Sequence, residues 1–153
     1  MTNNDILRRL RYTLDLSDSD VGQLFAFGGQ RAEEDEVRDW TRPVDDPELV
    51  DLTDFALATF LNGLIVQKRG QREDRPLPTP ERELSNNTIL RKLKIAFDLK
   101  SHELQAMYAL DGRTVSESEI TAFFRKPGTR QYRDLNDQYL RWFLNGLQKS
   151  FKG

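Results

Sequence analysis

The pentapeptide Phe60-Leu61-Asn62-Gly63-Leu64 returns as Phe143-Leu144-Asn145-Gly146-Leu147, 83 residues later. The same spacing reaches the start of the chain, where Asn3-Asn4-x-Ile6-Leu7-Arg8-x-Leu10 reappears as Asn86-Asn87-x-Ile89-Leu90-Arg91-x-Leu93. Self-similarity at a fixed period marks a structural unit used more than once. In 153 residues this leaves two similar units, each small enough for its own core to be marginal. The halves are therefore expected to pack together.

Asn-Gly is usually a turn signal. Here it lies inside an apolar run, residues 55–66, that reads as a helix. Glycine in a helix interior costs about 1 kcal/mol relative to alanine. A chain carrying that cost at the same place in both copies gains something there, and close approach of another helix over the bare Cα is the expected gain. Asn62, Gly63, Asn145 and Gly146 are thus structural candidates. A helix end at Asn62 is the alternative.

Each copy reads as four helices, with no strand alternation to compete. Asn3 or Asn4 caps a first helix over about residues 5–15. Ile6, Leu7, Leu10 and Leu14 lie on one face, and Arg8, Arg9, Arg11 and Tyr12 on the other. The second copy places Ile89, Leu90, Leu93 and Phe97 inside, with Arg91, Lys92 and Lys94 outside. Asp18 and Ser101 cap a second helix, which ends at Gly29 and Gly112 in left-handed conformation. Ser116-Glu117-Ser118-Glu119 has the pattern of a capping box opening a third helix, which Pro43 and Pro127 terminate. Asp46-Pro47-Glu48 signals the start of a fourth, largely buried helix running to about Lys68. The domain reading is a first repeat over 1–70, a proline-rich linker over 71–84 and a second repeat over 85–153. The linker could alternatively serve as a ligand for an aromatic groove.

The whole pattern resembles a bacterial family of uncharacterised proteins, the YehS-like domain-of-unknown-function family, number 1456 of that series. The resemblance rests on the paired Asn-Asn-x-Ile-Leu-Arg starts, the Phe-Leu-Asn-Gly-Leu ends and the duplication with its proline-rich joint. It implies a duplicated helical, cytosolic protein without an established activity, and it brings no catalytic residues.

The formal charge of −2 gives the whole chain no electrostatic pull on nucleic acid or acidic membrane. Without cysteine there is no disulfide and no thiolate chemistry. The polar start, Met1 to Asp5, has no signal-peptide pattern, and no apolar run is long enough to span a bilayer. The expectation is a cytoplasmic protein.

His102, the one histidine, has Ser19 as its counterpart and no sequence partner for general-base work. Carboxylates recur as Asp15/Asp98, Glu34/Glu117, Glu36/Glu119, Asp51/Asp134 and Asp54/Asp137. Asp51 and Asp54 are expected on one helix face, but a hard cation needs more convergent oxygens than such a pair supplies. No catalytic, metal-binding or cofactor-binding residue is assigned. The recurrent Arg8/Arg91 and Arg42/Arg125 are expected to pair with recurrent acids inside each repeat, as ordinary ion pairs worth about 0–1 kcal/mol at the surface, with partner binding as the alternative.

The second and third helices invite a helix-turn-helix reading in part. The third helix opens on Glu33-Glu34-Asp35-Glu36, however, which repels phosphate. The basic faces at Arg8, Arg9, Arg11, Arg91, Lys92 and Lys94 are better candidates for binding nucleic acid or a partner. Arg125, Lys126, Arg130 and Arg133 add positive charge in the second half. The leading expectation is a non-enzymatic interaction or regulatory module with a protein partner. Weak nucleic-acid binding is the alternative, and an enzyme or metal protein the weakest reading.

Overall fold

A computed structural model describes residues 1–71 and 73–153. Arg72, inside the expected linker, lies outside them. Among the described residues there are eight helices and no strand. They are α1 (Asn3–Thr13), α2 (Asp18–Phe27), α3 (Glu34–Trp40), α4 (Asp54–Arg69), α5 (Asn86–Ala96), α6 (Ser101–Leu110), α7 (Glu117–Phe123) and α8 (Asp137–Lys152). Each bound of the second set lies 83 residues beyond its counterpart in the first. The chain divides into two compact units, Met1–Leu84 and Ser85–Gly153. The first unit thus includes residues 71–84: Leu84 N–H donates to Asp54 Oδ2 (2.9 Å), and Leu77, Ile65 and Val66 line one groove.

In each unit the second and last helices form the central pair, with the third helix packed on the second and the first on the last. α4 packs chiefly on α2, and α8 on α6. Leu57, Ala58, Phe60, Leu61 and Leu64 are fully buried on α4, and Leu140, Phe143 and Leu144 on α8. Gly63 and Gly146 allow these crossings. A Cβ on Gly63 would fall 1.7 Å from Leu24 O of α2, and one on Gly146 1.8 Å from Met107 O of α6. The helices touch backbone to backbone, and Asn-Gly is helix interior in both copies.

The asparagine pairs correct the expected first cap. Thr2 and Ser85 are the N-caps: Thr2 Oγ1 accepts from Asp5 N (3.1 Å) and Ser85 Oγ from Thr88 N (3.1 Å). The asparagines reach across the unit instead. Asn4 Nδ2 donates to Trp40 O and Val50 O (both 2.8 Å), and its Oδ1 accepts from Leu52 N (3.0 Å). Asn87 does the same with Phe123 O, Arg133 O and Leu135 N. Asn3 Nδ2 donates to Leu52 O and Asp54 Oδ1, and Asn86 Nδ2 to Leu135 O and Asp137 Oδ1. Each buried amide thus does for the incoming chain what secondary structure would otherwise do.

That clamp also corrects the start of the fourth helix. Asp46 Oδ1 does accept from Glu48 N (2.8 Å), but the bond makes a local turn. Leu52 gives its N–H to Asn4 and Val50 gives its own to Asp39 O (3.1 Å), so residues 50–52 stay extended. The helix begins at Asp54, where Thr53 Oγ1 accepts from Ala56 N (3.1 Å). Asp51 consequently lies outside the helix, and the expected Asp51/Asp54 face does not form.

The second helices start after Ser17 and Lys100, one residue before the expected caps. Ser17 and Asp20 form a reciprocal capping box, which leaves Asp18 for Arg11 (2.9 Å). Ser116 caps α7 as its sequence indicates, accepting from Glu119 N (3.1 Å), but the Glu119 carboxylate meets the Ser116 hydroxyl (3.3 Å) instead of its backbone N–H, so the expected box is only half formed. Gly29 and Gly112 have φ of +105° and +74°, the expected left-handed helix ends. Asp15 and Asp98, with φ of 54° and 53°, are left-handed ends that the sequence reading did not include.

Candidate functional site

The basic outer faces of α1 and α5 were the sequence candidates. The structure treats their equivalent residues differently in the two units. Arg8 pairs with Asp5 and donates to Arg42 O (2.8 Å). Arg11 pairs with Asp18 and donates to Leu16 O and Thr41 Oγ1 (3.1 and 3.3 Å). Arg42 sits among Asp39 (3.0 Å), Asp46 (3.5 Å) and Glu48 (3.4 Å). Its hydrogen bond to Asp39 raises the guanidinium above its ordinary value, and the other two acids add to this. Burial pushes Asp5 up, but its bonds from Thr2 and the nearby Arg8 charge outweigh that and hold it below the usual carboxylate range.

The second unit keeps the cations and replaces the acids. Arg91, Lys94 and Arg125 occupy the positions of Arg8, Arg11 and Arg42. Thr88, Ser101, Ala122, Thr129 and Gln131 stand where Asp5, Asp18, Asp39, Asp46 and Glu48 stood. Among the described residues no carboxylate pairs with Arg91, Lys94 or Arg125, so the ion pairs expected at Arg91 and Arg125 do not form, and those of Arg8 and Arg42 use acids that do not recur. Lys94 Nζ lies 5.7 Å over the Phe124 ring instead. Arg9 is half-buried on α1 beside exposed Tyr12, as Lys92 is on α5 beside exposed Ile95.

This divergence runs through the whole charge balance. Met1–Leu84 carries eleven Lys and Arg against eighteen Asp and Glu, a net of −7. Ser85–Gly153 carries twelve against seven, a net of +5. The overall −2 conceals two units of opposite sign, and counting the halves of the repeat separately would have disclosed it.

Arg125 borders a groove with Glu117, Ser118, Thr121, Ala122 and Gln131. Lys126 and Arg130 follow in the exposed loop. Arg133 is committed elsewhere, to Glu119 (3.5 Å) and to the faces of Phe123 and Tyr139. Two of the recurrent carboxylate pairs, Asp54/Asp137 and Glu36/Glu119, have structural work. Asp54 and Asp137 accept from Asn3 and Asn86, and Glu36 caps Glu33 N (3.1 Å). Glu119 accepts from Ser116 Oγ and Tyr139 O–H. Among the described residues no three His, Cys, Asp or Glu converge as metal ligands. His102 is exposed in the first turn of α6.

Asn145 marks a further difference. It donates to Asp111 Oδ2 (3.2 Å), and Lys149 Nζ pairs with Asp111 Oδ1 (3.0 Å). The first unit has Gly28 in place of Asp111. A Cβ on Gly28 would fall 2.0 Å from Thr59 O, so α2 ends hard against α4.

Two all-helical units of one design, clamped by buried asparagines and crossed over glycine, define the class: a tandem duplication whose copies display opposite net charge. The family of proteins of unknown function DUF1456 matches over residues 3–70 and again over 86–153, and the chain belongs to it. It is similar to the uncharacterized protein YehS of Escherichia coli strain K12, with 41% identity over 147 residues, covering 96% of this chain and 94% of that protein. No solved structure matches. No helix among the described residues is long and apolar enough to cross a membrane.

Proposed function

We propose that the protein is a non-enzymatic cytoplasmic interaction or regulatory module, with two copies of one scaffold that present different surfaces. The observation that supports this is where the copies agree and where they diverge. The Asn4/Asn87 clamp, the Asp54/Asp137 acceptor and the Gly63/Gly146 crossing are held in common. Five acids around Arg8, Arg11 and Arg42 are neutral residues around Arg91, Lys94 and Arg125. A change of displayed charge alters what a surface attracts while leaving the shared clamp and crossing alone.

A protein partner is the first reading. Nucleic acid is the second, and the net +5 of the second unit favours it. The test is affinity capture on the intact protein from source-cell lysate, with and without nuclease, against a variant carrying Arg91→Glu and Arg125→Glu. Protein recovered despite nuclease and lost with the variant supports the first reading. Nuclease-sensitive recovery supports the second. Turnover of a substrate by the purified protein would overturn the non-enzymatic reading.

A further inference from the structure

We propose that the second unit binds the phosphodiester backbone of a nucleic-acid strand through Arg91, Lys94 and Arg125, and that the equivalent face of the first unit does not. This rests on the nucleic-acid reading given second above, within the binding-module reading, and names the strand chemistry and the residues that hold it.

The first unit shows that the three positions share one surface. Arg8 reaches the carbonyl of Arg42, and Arg11 reaches the hydroxyl of Thr41 (2.8 and 3.3 Å). The second unit repeats every helix bound and the loop bonds behind that surface: Val50 N to Asp39 O recurs as Arg133 N to Ala122 O (both 3.1 Å). Arg91, Lys94 and Arg125 therefore sit on one continuous face, with Lys94 against Phe124 as Arg11 is against Thr41. Exposed Lys126 and Arg130 follow Arg125 in the chain.

In the first unit the face is electrically closed, because Asp5, Asp18, Asp39, Asp46 and Glu48 surround its arginines. In the second unit it is open. Glu117, on the groove that Arg125 borders, Asp134, beside Tyr132, and Asp98, the counterpart of the Asp15 that shares a groove with Arg8 and Arg11, are the acids at its edge. Like charges held together repel, and a polyanion relieves that repulsion while releasing its own counterions. Half-buried Phe124 and Tyr132 and exposed Ile95 lie among the cations. Basic groups interleaved with aromatic and apolar surface suit a strand whose phosphates need charge and whose bases need a flat contact. An acidic peptide satisfies only the first requirement.

The test is fluorescence anisotropy with labelled single-stranded RNA, single-stranded DNA, duplex DNA and a polyglutamate peptide, using the full chain across a salt series. Single strands should bind, with log K falling against log salt at about 0.7 per phosphate contact, hence a slope near −2 for three contacts. Arg91→Ala with Arg125→Ala should weaken binding by roughly tenfold or more at low salt and reduce the slope by about 1.4. Arg8→Ala should leave both unchanged. A second variant removes no cation: Thr88→Asp, Ala122→Asp and Thr129→Asp install the acids of the first unit, whose backbone accepts them. It should abolish binding with its helical signal and urea midpoint retained. Preference for polyglutamate, absence of strand binding at low salt, or equal loss on Arg8→Ala overturns the proposal. Of these, the polyglutamate result leaves the binding-module reading standing. Cleavage of the strand, read on a gel, instead overturns the non-enzymatic reading while the surface assignment stands.

Discussion

Gly63 lies beneath the carbonyl oxygen of Leu24, so close that a single added carbon would stand 1.7 Å from it. The obstacle is backbone, which cannot swing aside. Gly63→Ala gains about 1 kcal/mol of helix propensity, but overpacking a tight crossing costs about 1–3 kcal/mol. Both Gly63→Ala and Gly63→Leu should lower the urea midpoint, leucine more, and Gly146 should behave alike against Met107 O. A raised midpoint for the alanine variants would show that α2 and α6 move away at little cost.

Asn4 should be worth more than an ordinary surface hydrogen bond. Asn4→Ala strands Leu52 N–H, Trp40 O and Val50 O in or near the core, at about 1–3 kcal/mol for each buried group left unsatisfied. The expected loss is about 3 kcal/mol in urea unfolding. Asn4→Asp retains the acceptor for Leu52 but aims a carboxylate at two carbonyls, and should be no better than alanine. Asn87 should repeat both results.

Tyr108 is fully buried, and its hydroxyl has no hydrogen-bond partner among the described residues. Burial pushes its pKa up, and Tyr139 and Glu119 push the same way, so it stays neutral. The first unit has Phe25 at this position. Burying an unpaired hydroxyl costs about 1–3 kcal/mol, so Tyr108→Phe should raise the melting temperature and urea midpoint. A loss of stability would show that the hydroxyl is satisfied in solution.

Asp111 predicts an acid limb for the second unit. Burial pushes its pKa up, but Lys149 and Asn145 outweigh that and hold it below its ordinary value. A depressed carboxylate contributes stability that is fully present above the unfolded pKa, about 3.9. The contribution is lost as pH falls through the folded value. Asp111→Asn should therefore flatten the fall of stability below about pH 4 and leave the slope near neutrality unchanged. Urea midpoints between pH 2 and pH 7 read this directly.

Much of the fold was legible because it is written locally. The 83-residue spacing, the helical periods, Ser116 as a cap and Gly29 and Gly112 as left-handed ends all depend on residues close in the chain. The Asp-Pro-Glu at 46–48 was equally local, and there locality misled. The turn it makes does not propagate, because Asn4, more than forty residues away, claims Leu52 N–H first. The candidate site was half legible. Arg8, Arg11, Arg91 and Lys94 could be placed on outer faces by period alone. Whether an acid stood opposite was legible at Arg8, which meets Asp5, and at Arg42, which meets Asp39 and Asp46, all three or four residues away; Arg11 meets Asp18 and Arg42 meets Glu48 only through the turns between helices.

The sequence by itself determined that there are two units, that both are helical, and that glycine stands at the same point in each central helix. These follow from period and composition, which act within a turn or two of helix. Tertiary structure alone decided that Asn3 and Asn4 clamp rather than cap and that α4 starts at Asp54. A hydrogen bond or ion pair depends on distances in space, and only the packed backbone sets those distances for residues thirty to fifty positions apart.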